Sequence, residues 1–187
     1  MRIAETMKAL MMALFAATIA ACGKDHPLDR VEPAKTEAFS VDLGKDFHFE
    51  LGRGSGLDGL DTVAFGRDGK VTLFRQHPQG SWQTTSLELS AEALARIFDE
   101  VKSQEIMKMP AAYHANVQDG TQWVLWIRQD EKSKAIYFNN YFPAEVRRLA
   151  ERLDRELAAA GIAGAPWKEL SKTKVREHEK ALWSSIK

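Results

Sequence analysis

Two runs of alternating apolar and polar residues, Leu60 to Arg67 and Lys70 to Gln76, meet at Asp68-Gly69. Aspartate followed by glycine between alternating runs is a strong local signal for a β-hairpin, because glycine takes the positive φ that reverses a twisted ribbon. A chain committed to one such hairpin must go on to build a sheet, since two strands alone are marginal in water. The neighbouring segments continue the pattern. Phe47, Phe49 and Leu51 alternate with polar residues, and beyond the loop His77-Pro78-Gln79-Gly80 the Thr-rich run from Trp82 to Leu89 alternates again.

The period then changes. Ser90 is a good N-cap for a helix carrying Leu94, Ile97, Phe98 and Val101 on one side and ending before Pro110. Gln122 to Arg128 predicts a strand apolar on both faces, Trp123-Val124-Leu125-Trp126-Ile127, returned through the polar turn 129–133 as a strand from Lys134 to Asn140. Pro143 suits the first turn of a second helix whose buried stripe is Val146, Leu149, Ala150, Leu153 and Leu157, stopped by Gly161. A last helix over 172–186 places Val175, Leu182, Trp183 and Ile186 on one side. Four strands, a helix, two strands and a helix predict an α+β fold. Its antiparallel sheet of about six strands carries helices on one face, plus the C-terminal helix. From about residue 47 to 161 the chain is similar to uncharacterised bacterial exported proteins, a resemblance that implies no activity.

The N-terminus reads differently. Arg2 and Lys8 precede an uncharged apolar run, Ala9 to Ala21, too short for a spanning helix, which needs about 20 residues, but suited to an export signal. The run closes on Ile19-Ala20-Ala21-Cys22-Gly23, and Cys22 is the chain's single cysteine. This resembles the lipobox of bacterial prolipoproteins, in which the cysteine is diacylated before cleavage. The resemblance implies a membrane anchor through lipid on Cys22. Gly23 in place of aspartate favours the periplasmic side of the outer membrane in a Gram-negative source. The expected organisation is a signal peptide over 1–21, a flexible charged and proline-containing tether over 22–40, one α+β domain over 41–161, and a C-terminal extension with a helix over 162–187.

Composition and motifs narrow the function. Lys+Arg and Asp+Glu are both 26, so no basic footprint for nucleic acid exists. One cysteine permits neither an intramolecular disulfide nor a cysteine zinc cluster, and His26, His48, His77, His114 and His178 show no metal-ligand spacing. No metal or cofactor is expected. Gly54-Ser55-Gly56-Leu57-Asp58-Gly59 matches a dinucleotide-binding string but opens no helix, so it predicts a mobile loop between strands. His114 and Asp119 are weak candidates for an acid–base pair, with Asp119 equally suited to accept backbone N–H bonds in a turn. His178-Glu179 reads as solvated.

Alternation sends Thr62, Thr72, Phe74, Trp82, Thr84, Ser86, Val124, Trp126 and Tyr137 to the face opposite the core. Aromatics among hydroxyls suit an envelope protein or a saccharide-like ligand, making Phe74, Trp82, Trp126 and Tyr137 candidate binding residues. The same face could instead be covered by the C-terminal helix around Trp183 or by the Phe47 strand region. The leading expectation is a lipid-anchored, non-enzymatic binding or interaction module of the cell envelope. The alternatives are a hydrolase of envelope polymers and an inhibitor of an exported enzyme.

Overall fold

In the computed structural model, which describes residues 26–55, 58–77, 80–118 and 120–186, the expected hairpins form the middle of a larger sheet. The strands are β1 (Leu28–Glu32), β2 (Phe47–Ser55), β3 (Gly59–Gly66), β4 (Lys70–Gln76), β5 (Trp82–Glu88), β6 (Ala112–Ala115), β7 (Thr121–Gln129), β8 (Lys132–Asn139) and β9 (Lys168–Leu170). The helices are α1 (Ala91–Ser103), α2 (Ala144–Ala159) and α3 (Lys172–Ser185). The strands run β1-β6-β8-β7-β2-β3-β4-β5-β9 across one sheet.

The α+β class stands, but the sheet differs from six antiparallel strands. Among the described residues it has nine, and β6 pairs parallel to β8. The additional strands β1, β6 and β9 are short, so none offers enough alternation to register in the sequence. β1 falls within the segment expected as tether. It pairs with β6 from Leu28 opposite Ala115 to Glu32 opposite Ala112.

Gly69 turns the central hairpin at φ 72°, its N–H donating to the Gly66 carbonyl at 3.1 Å. One face of the sheet contributes Phe49, Leu51, Phe65, Val71, Leu125, Ile127, Ile136 and Phe138 to the main core, which α1 and α2 cover with their apolar stripes. Ser90 Oγ accepts from Ala93 N at 3.2 Å, capping α1 as expected, and Gly161 follows α2 at φ 87°. Arg96 holds Glu156 through two hydrogen bonds of 2.7 and 2.9 Å, clamping α1 to α2. Arg53 holds Asp154 likewise, tying β2 to α2.

α3 lies on the opposite face. Leu182 is fully buried against Leu60 and Val124, with Trp126, Tyr137, Trp183 and Ile186 packed around them. Gly52 provides the depth, since a Cβ there would lie 2.6 Å from Leu182 Cδ2 and 3.0 Å from Leu60 Cδ1. Of the two ways the sequence left for this face, cover by the C-terminal helix is the one observed.

Truncating Leu182→Ala should destabilise the fold by about 2–5 kcal/mol, the usual cost of emptying a filled core site. Gly52→Val should cost about 1–3 kcal/mol by overpacking the same seam. Urea denaturation checks both, and hydrogen exchange should show α3 amides opening before those of β2 and β7.

Candidate functional site

Strand alternation places His48, Glu50 and Gly52 of β2 beneath α3, beside Thr62 of β3 and Phe74 of β4. His178, midway along α3, descends among them. Its ring stacks on Phe74 at 4.1 Å between centroids, and its Nε2 lies 2.7 Å from Thr62 Oγ1 and 3.0 Å from Glu50 Oε1. His48 Nε2 lies 2.9 Å from Glu50 Oε2 and packs edge-on to Trp126. Glu50, 3% exposed, is therefore a buried carboxylate flanked by two imidazoles from separate elements. Burial pushes its pKa up, but the hydrogen bonds and charges of His178 and His48 outweigh that and leave it below the ordinary glutamate value.

Hydroxyl, imidazole and carboxylate together invite comparison with a catalytic triad. The geometry is wrong for one. In a relay the hydroxyl and the carboxylate meet different ring nitrogens, so that one holds the tautomer while the other takes the proton. Here both face the same Nε2, so the ring cannot relay a proton between them. Thr62 is itself buried, 3% exposed, under α3. The cluster is a polar fastener between helix and sheet.

Beside the fastener, α3 from Lys172 to Trp183 and the ends of β2 to β5 enclose an open cleft of about 330 Å³. Its walls include Asp58, Gln76, Trp82, Arg176, Glu179 and Trp183. Glu179 Oε1 accepts from Leu60 N at 3.0 Å, and Asp58 Oδ2 accepts from Ser55 Oγ at 3.0 Å. Gly59, at φ 95°, makes room for this wall. A Cβ there would meet Glu179 Oε1 at 2.4 Å and Trp82 Cζ2 at 2.8 Å.

The four expected binding residues separate. Trp82 is 8% exposed and borders the cleft. Phe74, Trp126 and Tyr137 are half-buried under α3, Tyr137 meeting Trp183 edge-on at 5.9 Å. His178 and Glu179 are not solvated as expected: both point into the sheet. His48, Glu50 and Thr62 were missed individually, although their shared strand phase with the Thr and aromatic positions was visible. The glycine string is no loop at its ends, since Gly54 and Ser55 pair in register with Leu60 and Gly59.

His114 Nε2 lies 3.2 Å from Glu32 Oε1 and 3.3 Å from the Arg30 guanidinium, at the β1 edge. Its carboxylate neighbour is therefore Glu32. Asp119 and Cys22 lie outside the described residues. Among the described residues no group of three or more histidine, cysteine or acidic side chains could hold a metal, and no helix is long and apolar enough to cross a membrane. No protein-family model matches the chain, and no curated protein matches it.

Because the folded pKa of Glu50 is depressed, its contribution to stability is complete above the ordinary glutamate value, about 4.3. That contribution is lost as pH falls through the lower folded value. Glu50→Gln should remove this part of the acid dependence. Chemical denaturation from pH 7 to pH 3 (approximate working limits chosen to span that range) would show parallel curves if the carboxylate carries none of it.

Proposed function

We propose that this chain is a lipid-anchored cell-envelope protein whose α+β domain is a non-enzymatic binding or interaction module. The anchor reading rests on Ile19-Ala20-Ala21-Cys22 and the apolar run before it. The binding reading is carried by the cleft beside α3, where two tryptophans stand among hydrogen-bonding and charged groups. Indole faces and edges offer apolar contact with a polar handle, while Gln76, Arg176 and the acidic pair offer donors and acceptors. This is the chemistry of a site for an envelope protein or a saccharide-like ligand.

Within this reading the aromatic residues divide the work. Trp82 and Trp183 meet the ligand, whereas Phe74, Trp126 and Tyr137 support the helix that forms the cleft's other wall. Substituting the supporting residues would lower stability along with binding, so they are poor tests of recognition. The exposed rim is the better probe.

A photo-crosslinking residue at Lys172, in the anchored protein in cells, should capture a reproducible partner by mass spectrometry. The adduct should disappear in Arg176→Glu/Gln76→Ala protein, changed at two cleft-lining positions away from the packed tryptophans, that remains folded and membrane-associated. An adduct pattern indifferent to that double substitution would overturn the cleft as the binding site.

A further inference from the structure

We infer that edge strand β1 rests against the bilayer, with Leu28 and Val31 in the headgroup interface, so that the sheet stands on this edge and carries its cleft away from the membrane. The inference rests on the anchor reading at Cys22 and adds an orientation to it. Chain length is the first argument. Six residue steps separate Cys22 from Leu28, a reach of roughly 20 Å when fully extended. The sheet of the described residues, nine strands at about 4.8 Å spacing, is roughly 38 Å wide. An acylated Cys22 therefore keeps the β1 edge nearer the headgroups than the sheet's own width, and β9 occupies the far edge.

The second argument is the surface this edge presents. Leu28 and Val31, 42% and 41% exposed, are the large hydrophobic residues left most open among those described. Three positions apart on a regular strand, they would point to opposite faces. The register shift between Leu28 and Arg30 changes that, because Asp29 is bulged out of the pairing with β6. Leu28 then stands opposite Ala115 and Val31 opposite Tyr113, two residues that share a face. The bulge thus gathers both exposed apolar side chains on one side of a strand whose outer edge has no neighbour among the described residues.

The local charges do not favour an electrostatic mode. Arg30 pairs with Glu32 at 3.2 Å, both beside His114, while Lys24, Lys35, Asp25 and Asp29 balance in sign. The contact is therefore apolar and insensitive to headgroup charge. Two side chains would not hold a soluble protein on a membrane, but a lipid anchor raises their effective concentration enough for a weak contact to persist. The cleft borders β2 to β5, four to seven positions along the sheet, roughly 19–34 Å from β1.

The test uses the full acylated chain in vesicles containing brominated phospholipid, with bimane on Asp29→Cys or, separately, on Glu169→Cys of β9. Acylation of Cys22 leaves each variant one reactive thiol. Bimane at position 29 should be quenched several-fold more than at 169. The difference should vanish with Leu28→Ser/Val31→Ser and should survive roughly 0.5 M salt, where screening is short-ranged. Equal weak quenching at both sites, or loss of the difference in salt, would overturn the docking. Intact mass and flotation of Cys22→Ala protein separate the two ideas. Acyl mass present with equal quenching sinks the orientation alone, whereas no acyl mass and unchanged flotation of Cys22→Ala sink the anchor and the orientation with it.

Discussion

The structure depends on a sheet whose central strands are apolar on both faces. Trp123, Leu125 and Ile127 of β7 point into the main core, while Val124 and Trp126 point the other way, and β7 is hydrogen-bonded along its length to β2 and β8. A one-layer cover would leave Val124 and Leu60 in water. Two helices on one side and a third on the other are the minimum that buries both surfaces. The polar groups follow from that arrangement. Glu50 is buried because α3 must cross β2, and the two imidazoles that flank it are what make its burial tolerable. Gly52, two residues on, lowers the sheet surface so that Leu182 can reach Leu60.

The elements that were legible in the sequence are those with long, regular periods. β4 was delimited to the residue, β5 and β7 to within a residue at each end, and the stripes of α1 and α2 were recovered with the Ser90 cap and the Gly161 stop. Strands β1, β6 and β9 were not visible because their pairing depends on partners distant in sequence rather than on their own pattern. β6, for example, is inserted parallel to β8 after a helix and a 3-10 turn. The candidate site shows the same division. The phase of Phe74, Trp82, Trp126 and Tyr137 was readable from alternation. That His178 descends onto Glu50 from 128 residues further along the chain was not, because no local pattern records which helix will cover a face.

The site's two halves do different work. The fastener of His48, Glu50, Thr62 and His178 fixes where α3 lies, and the cleft exists because α3 lies there. Glu179 joins them, with its carboxylate bonded to the backbone of β3 while its neighbour His178 engages the fastener. A ligand entering between Trp82 and Trp183 would press on a helix already held by these groups, so recognition and the stability of the second face are linked through one element.

The order of α3 after every strand of the sheet has a consequence for assembly. Synthesis delivers β2 through β9 first, and these can pair and collapse onto α1 and α2 before α3 has been made. Until Leu182 emerges, the surface around Leu60, Val124 and Trp126 stays bare. Such an intermediate is one that holding chaperones bind and that associates with its own kind. A chain lacking α3 would be left in that state. The turns of α3 therefore act as the closing step for this sheet, turning a sticky half-finished domain into a finished one.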